Sequence, residues 1–184
     1  MHHIYTTPAF VVHSTPHGEA GKFLLLFTKE FGMIGVVAQG IRLGQSKLRF
    51  HVQDASYFNA SVVRGKEVWR LTGALEIEHT KGKILHLKIL KLLKRLLQGE
   101  ERNDNLFAIV QELYNSKINE NDFEIIECIT VLRILNSLGY VKNIQEFETY
   151  LNTNNIDTDT LKSFTLIKSK AVAVINQALK DSQL

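Results

Sequence analysis

Between Ala9 and Glu78 the chain repeats one pattern: short runs rich in Val, Phe, Tyr, Thr and Leu, each broken by glycine or by charged turn residues. Such runs read as β-strands, and we place them at 8–14, 22–30, 33–39, 53–63 and 67–78. The turns Glu30-Phe31-Gly32 and Arg64-Gly65-Lys66 put glycine where a positive φ is expected in a hairpin. A sheet of five short strands leaves two open edges that invite pairing with other chains. Closure removes the edges, so the pattern predicts a small five-stranded barrel.

After Thr80 the period changes. Ile84, Leu85, Leu87, Ile89, Leu90, Leu92, Leu93, Leu96 and Leu97 recur at helical spacing and stop before Gly99, a residue suited to a helix C-terminus. Two more helices are expected at 103–116 and 121–138, with Asn103 or Asp104 and Asn121 or Asp122 as N-caps and Gly139 as a terminator. A fourth helix is expected from Asn143, where Glu146 can complete a capping pair. The polar run 152–160 reads as a turn and 170–180 as a last helix. The predicted chain is therefore α+β: a barrel domain at 1–79 followed by an all-α bundle domain at 80–184.

The net charge of +3 conceals an asymmetry. Residues 40–95 hold twelve Lys or Arg against four Asp or Glu, whereas 96–184 hold eight against thirteen. The first of these regions suits a polyanion. The longest apolar run of the first half, Phe23–Phe27, is far short of the roughly 20 residues that cross a bilayer. Met1-His2-His3-Ile4-Tyr5 lacks the basic and apolar regions of a secretion signal, so a cytoplasmic protein is expected. Cys128 is the sole cysteine, which excludes an internal disulfide and a multi-cysteine zinc site. It sits among Ile125, Ile126, Ile129 and Val131, where a buried hydrophobe is expected in place of a nucleophile.

The most informative loop lies between Gly35 and Lys47. Glycines at 35, 40 and 44 enclose Arg42, with Lys47 and Arg49 just beyond, a combination that lets backbone approach a phosphate and supplies forked cationic donors. Gly35 and Gly40 match the glycines of a nucleotide-binding P-loop, but Ile41-Arg42 stand where Lys and Ser or Thr are needed, so nucleotide hydrolysis is not expected. The helix at 81–98 carries no acid and aligns Lys81, Lys88, Lys91 and Arg95 on one face. His13 and His17 have the spacing of a helical metal pair, but Pro16 between them argues against a helix. No metal, cofactor or catalytic constellation is expected. Most barrel aromatics should be core, while alternation sends Tyr57 and Phe58 to opposite faces and leaves one as a candidate base-stacking platform.

The segments Ala9-Phe10-Val11-Val12, Gly18-Glu19-Ala20, Leu26–Gly32, Val36–Arg42, Ser46–Arg49, Trp69–Ala74 and Leu132–Tyr140 together resemble the RecO family of recombination mediators in order and spacing. The resemblance spans roughly residues 5–142. It implies an OB-fold barrel, no enzymatic activity, and binding of single- and double-stranded DNA with strand annealing and recombinase loading. Arg42, Lys47 and Arg49 would contact phosphates, with Arg64, Lys66 and Arg70 as neighbours and Lys88, Lys91 and Arg95 as an outer set. Implied partners are a RecR-like ring protein on the barrel and the acidic tail of single-strand-binding protein in the helical domain. Arg133 is the candidate base for that tail, the alternative being an ion pair with Glu127 or a neighbour. Many members of the family carry a four-cysteine zinc module after the Leu-Gly-Tyr segment, where this chain has Val141–Phe147. Two rival readings are a protein–protein adaptor with incidental DNA affinity and an RNA-binding barrel.

Overall fold

The computed structural model describes residues 3–78, 83–116, 119–141, 145–152 and 157–182. Strands β1 (Ile4–His17), β2 (Gly21–Thr28), β3 (Gly32–Ala38), β4 (Tyr57–Arg64) and β5 (Trp69–Glu78) close a barrel in the order β1-β2-β3-β5-β4. All pairings are antiparallel except the short β3–β5 ladder, Val36↔Trp69 and Val37↔Arg70. Helices α1 (Leu48–His51), α2 (Lys83–Leu96), α3 (Asp104–Asn115), α4 (Phe123–Ser137), α5 (Glu148–Asn152) and α6 (Thr158–Asp181), with single 3-10 turns at Glu120–Asp122 and Gln145–Phe147, complete the described elements. Two compact units result, one of residues 1–83 with 90–104 and one of 84–89 with 105–184.

Alternation along the strands fills the barrel. Ala9, Val11, Leu24, Leu26, Ile34, Val36, Phe58, Ala60, Val62 and Trp69 form one buried cluster, and Ile41 and Val52 join it from the β3–β4 connection. β1 is longer than expected because it serves two neighbours: Ile4–Phe10 pair with β4, and the strand runs on beside β2 to His17. A bulge between Val11 and His13 bends it around the barrel. Pro16, which lacks an N–H, lies near the end of the strand, where β2 is the only strand paired with it. His13 and His17 thus lie on a strand, about 13 Å apart along the chain.

Three sequence expectations need correction. Residues 53–56 form a turn in place of the start of β4: Ala55 adopts φ 65° and donates its N–H to the Val11 carbonyl. Tyr57 and Phe58 are both buried, Tyr57 stacking on Phe10 at 4.3 Å on the outer side of the wall. Helix α6 starts at Thr158, twelve residues before the expected 170, because Asp157 caps it by accepting a bond from the Thr160 N–H at 2.8 Å. Asp122 stands at the α4 N-cap without a side-chain capping bond. The expected helix start at Asn143 lies outside the described residues.

In the helical unit Cys128 is buried, and burial pushes its thiol up to about 11, which suits a packing role. His86 is also buried, stacked on Tyr114 at 3.9 Å with Nε2 donating to the Leu113 carbonyl at 3.4 Å. Its Nδ1 has no partner, and burial lowers its pKa from 6.5 to about 4. The unfolded chain therefore takes up this proton first as pH falls. Stability conferred by keeping His86 neutral is complete above pH 6.5 and is lost between 6.5 and 4, by about 3 kcal/mol. Urea titrations of wild type and His86→Phe at pH 7 and pH 4 check this: the variant should lose less stability over that interval by about the same amount.

Candidate nucleic-acid interface

Two cationic features of the barrel unit are built by its topology. The first is the β3–β4 connection, residues 39–56. Ile41 plugs into the barrel core at 1% exposure, and the next residue, Arg42, donates its N–H to the Ala20 carbonyl at 2.9 Å. The loop is thereby pinned to the β1–β2 turn while the Arg42 side chain stays in solvent. The connection then forms the single turn of α1. Leu48 and Val52, four residues apart, face the barrel core, so Lys47, Arg49 and Phe50 point outward. From Phe31 to Gln53 the sequence has no acidic residue.

The second feature is the β4–β5 hairpin. Its Gly65 does not adopt the expected positive φ; a Cβ there would lie 2.4 Å from the Val68 carbonyl oxygen, whose bond from the Gly65 N–H closes the turn. Arg64, Lys66 and Arg70 line a hollow of about 490 Å³ together with Glu67 and Val68. The parallel register Val36↔Trp69 and Val37↔Arg70 sets the start of β5 beside the end of β3, so the Arg42 loop leaves the barrel at the end where the β1–β2 turn lies, whereas the hairpin lies toward the β2–β3 turn, where Trp69 packs on Phe31 at 4.8 Å. The two features therefore stand toward opposite ends of β3, with Arg70 between them.

The nine predicted DNA-binding cations are all exposed, but they are not equally available. Arg64 pairs with Glu100 at 3.4 Å and lies 5.3 Å over the Trp69 ring, whose Nε1–H also donates to Glu100. Lys88 belongs to the helical unit and is paired with Glu127 at 2.7 Å. Among the described residues Arg42, Lys47, Arg49, Lys66, Arg70, Lys91 and Arg95 form no ion pair. Lys91 and Arg95 lie in the last turns of α2, where cations also complement the helix dipole. Lys81 lies outside the described residues. Arg133 is 8% exposed and its Nη2 donates to Glu112 Oε2 at 2.8 Å, so the neighbour it pairs with is Glu112, while Glu127 is taken by Lys88.

Sequence reasoning placed Gly35 in the loop, but it sits within β3 and serves packing. A Cβ there would meet the Phe23 ring at 2.8 Å. It also assigned no role to Phe50, which is 62% exposed. The signal was present in the spacing of Leu48 and Val52, which turns the intervening Phe50 away from the core once a helix is recognised.

A closed five-stranded barrel in the order β1-β2-β3-β5-β4, with a short helix between β3 and β4, defines an OB-fold domain. Residues 1–78 match the family model described as Recombination protein O N terminal. Similar proteins extend the match. The DNA repair protein RecO of Heliobacterium modesticaldum is 25% identical over 143 residues, 74% of this chain and 52% of the relative. That of Nitrosospira multiformis is 32% identical over 140 residues, covering 72% and 57%, and that of Dehalococcoides mccartyi 36% over 76 residues, covering 41% and 30%. The chain belongs to the RecO family. It spans about half the length of the relatives that match beyond the barrel. Among the described residues no helix is long and apolar enough to cross a membrane.

Proposed function

We propose that this chain is a non-enzymatic DNA-binding mediator of recombination and repair, which takes up single-stranded and duplex DNA on the barrel. The observation that carries this reading is the acid-free, exposed cationic connection Arg42-Lys47-Arg49 of an OB-fold, held on the barrel core by Ile41, Leu48 and Val52. In single-strand-binding OB-folds such grooves neutralise phosphates, a sequence-independent and salt-sensitive interaction. Two complementary strands held on one cationic surface repel each other less, which is a physical basis for annealing without nucleotide. Family membership supports recombinase loading with a RecR-like ring protein docked on the barrel and a single-strand-binding protein tail held by the helical unit. Arg133 would have to leave Glu112 to receive that tail, so its geometry favours the ion pair as its role.

The test is fluorescence anisotropy of a labelled single-stranded oligonucleotide against wild type and the Arg42→Ala, Lys47→Ala, Arg49→Ala triple variant across a salt series. Wild type should bind with log K falling linearly in log salt, and the triple variant should lose about 2 from that slope, at roughly 0.7 per phosphate contact. Equal binding by both proteins removes the loop from the interface. No binding by wild type at low salt favours a protein–protein adaptor.

A further inference from the structure

We propose that Phe50 is a base-stacking platform that makes the β3–β4 connection selective for single-stranded over duplex DNA. The inference rests on the reading of this surface as a nucleic-acid interface and adds to it the aromatic contact and the strand state. Phe50 is the most exposed aromatic side chain among the described residues, at 62%. It is not on a floppy tip: Leu48 and Val52 anchor its helical turn to the barrel core, and the Val52 N–H donates to the Leu48 carbonyl at 3.1 Å. The Arg49 guanidinium lies 4.5 Å from the ring centroid, so ring and cation form one composite surface. Lys47 precedes them and Arg42 stands earlier in the same connection, with no carboxylate between Phe31 and Gln53.

This chemistry matches a polyanion whose bases are free. An aromatic face stacks on any unpaired base regardless of identity, whereas in a duplex both faces of each base are already covered by its neighbours. The surrounding cations hold phosphates of either form. Phe50 therefore contributes where strands are single and is idle where they are paired.

The experiment measures binding of the full chain to a labelled single-stranded oligothymidine and to a duplex of equal length, for wild type, Phe50→Ala and Phe50→Trp. Phe50→Ala should lose roughly 5- to 100-fold in single-strand affinity. It should leave duplex affinity and the single-strand salt slope unchanged, because no phosphate contact is removed. Phe50→Trp should keep the affinity, and its indole emission should be quenched on binding. Unchanged single-strand affinity in Phe50→Ala, with the triple cation variant still impaired, overturns the stacking role and leaves the interface reading standing. Equal losses on single strand and duplex overturn the selectivity. Failure of wild type to bind either probe overturns both readings.

Discussion

Replacing Gly32 by alanine is expected to destabilise the barrel unit by more than about 3 kcal/mol, at least about three times the effect of the same change at Gly18. Both glycines adopt left-handed φ, +65° and +61°, so each alanine incurs a conformational cost of about 1 kcal/mol. Only at Gly32 would the added Cβ meet backbone, the Glu101 carbonyl oxygen at 2.1 Å, whereas nothing lies within 4 Å at Gly18. Relief requires moving the segment around Glu101. That segment is held by the Trp69 bond to Glu100 and by Arg102, whose Nη1 lies 3.3 Å from Glu30 Oε2. Urea unfolding of the two variants separates the terms: equal losses would show that Glu101 moves aside freely.

The second large effect concerns Arg133 and Glu112. Truncating Glu112 to alanine is expected to cost about 3 kcal/mol, because it leaves an almost fully buried guanidinium whose Nε already has no partner. Exchanging both residues together, Glu112→Leu with Arg133→Met, should recover most of that loss, since two apolar side chains of similar volume need no pairing. A double-mutant cycle by chemical denaturation measures the coupling. Additive losses would mean that the pair contributes nothing beyond its separate packing, and would reopen Arg133 as a surface for a partner.

The barrel was legible because strand periodicity and glycine-marked turns are local signals. All five predicted strands exist, and each begins within four residues of its predicted start. The misses fall where local propensity is weak. Thr158, Asp159 and Thr160 are poor helix formers, and only the Asp157 cap and packing of residues such as Phe164 and Ala171 draw them into α6. Helix α1 is a single turn, too short for periodicity to reveal, and with it went the exposure of Phe50. The candidate site divides in the same way. Its residue types and charge excess stand in the sequence, but Lys88 and Arg64 look no different there from Lys66 and Arg70, although Glu127 and Glu100 engage the first two.

By itself, then, the sequence determined an acid-free basic loop after the third strand, a barrel small enough to require closure, and a change of period that begins a helical region. Each of these depends on residues close together along the chain. Only the tertiary structure decided which cations are paired, which glycines are needed for packing and which for turn conformation, and that the 64–68 hairpin and the Arg42 loop stand toward opposite ends of β3. Those outcomes depend on contacts between distant segments. The parallel β3–β5 ladder is the clearest of them: the sequence calls for closure, but which strands close the barrel and in what register is set only when Val37 and Arg70 meet.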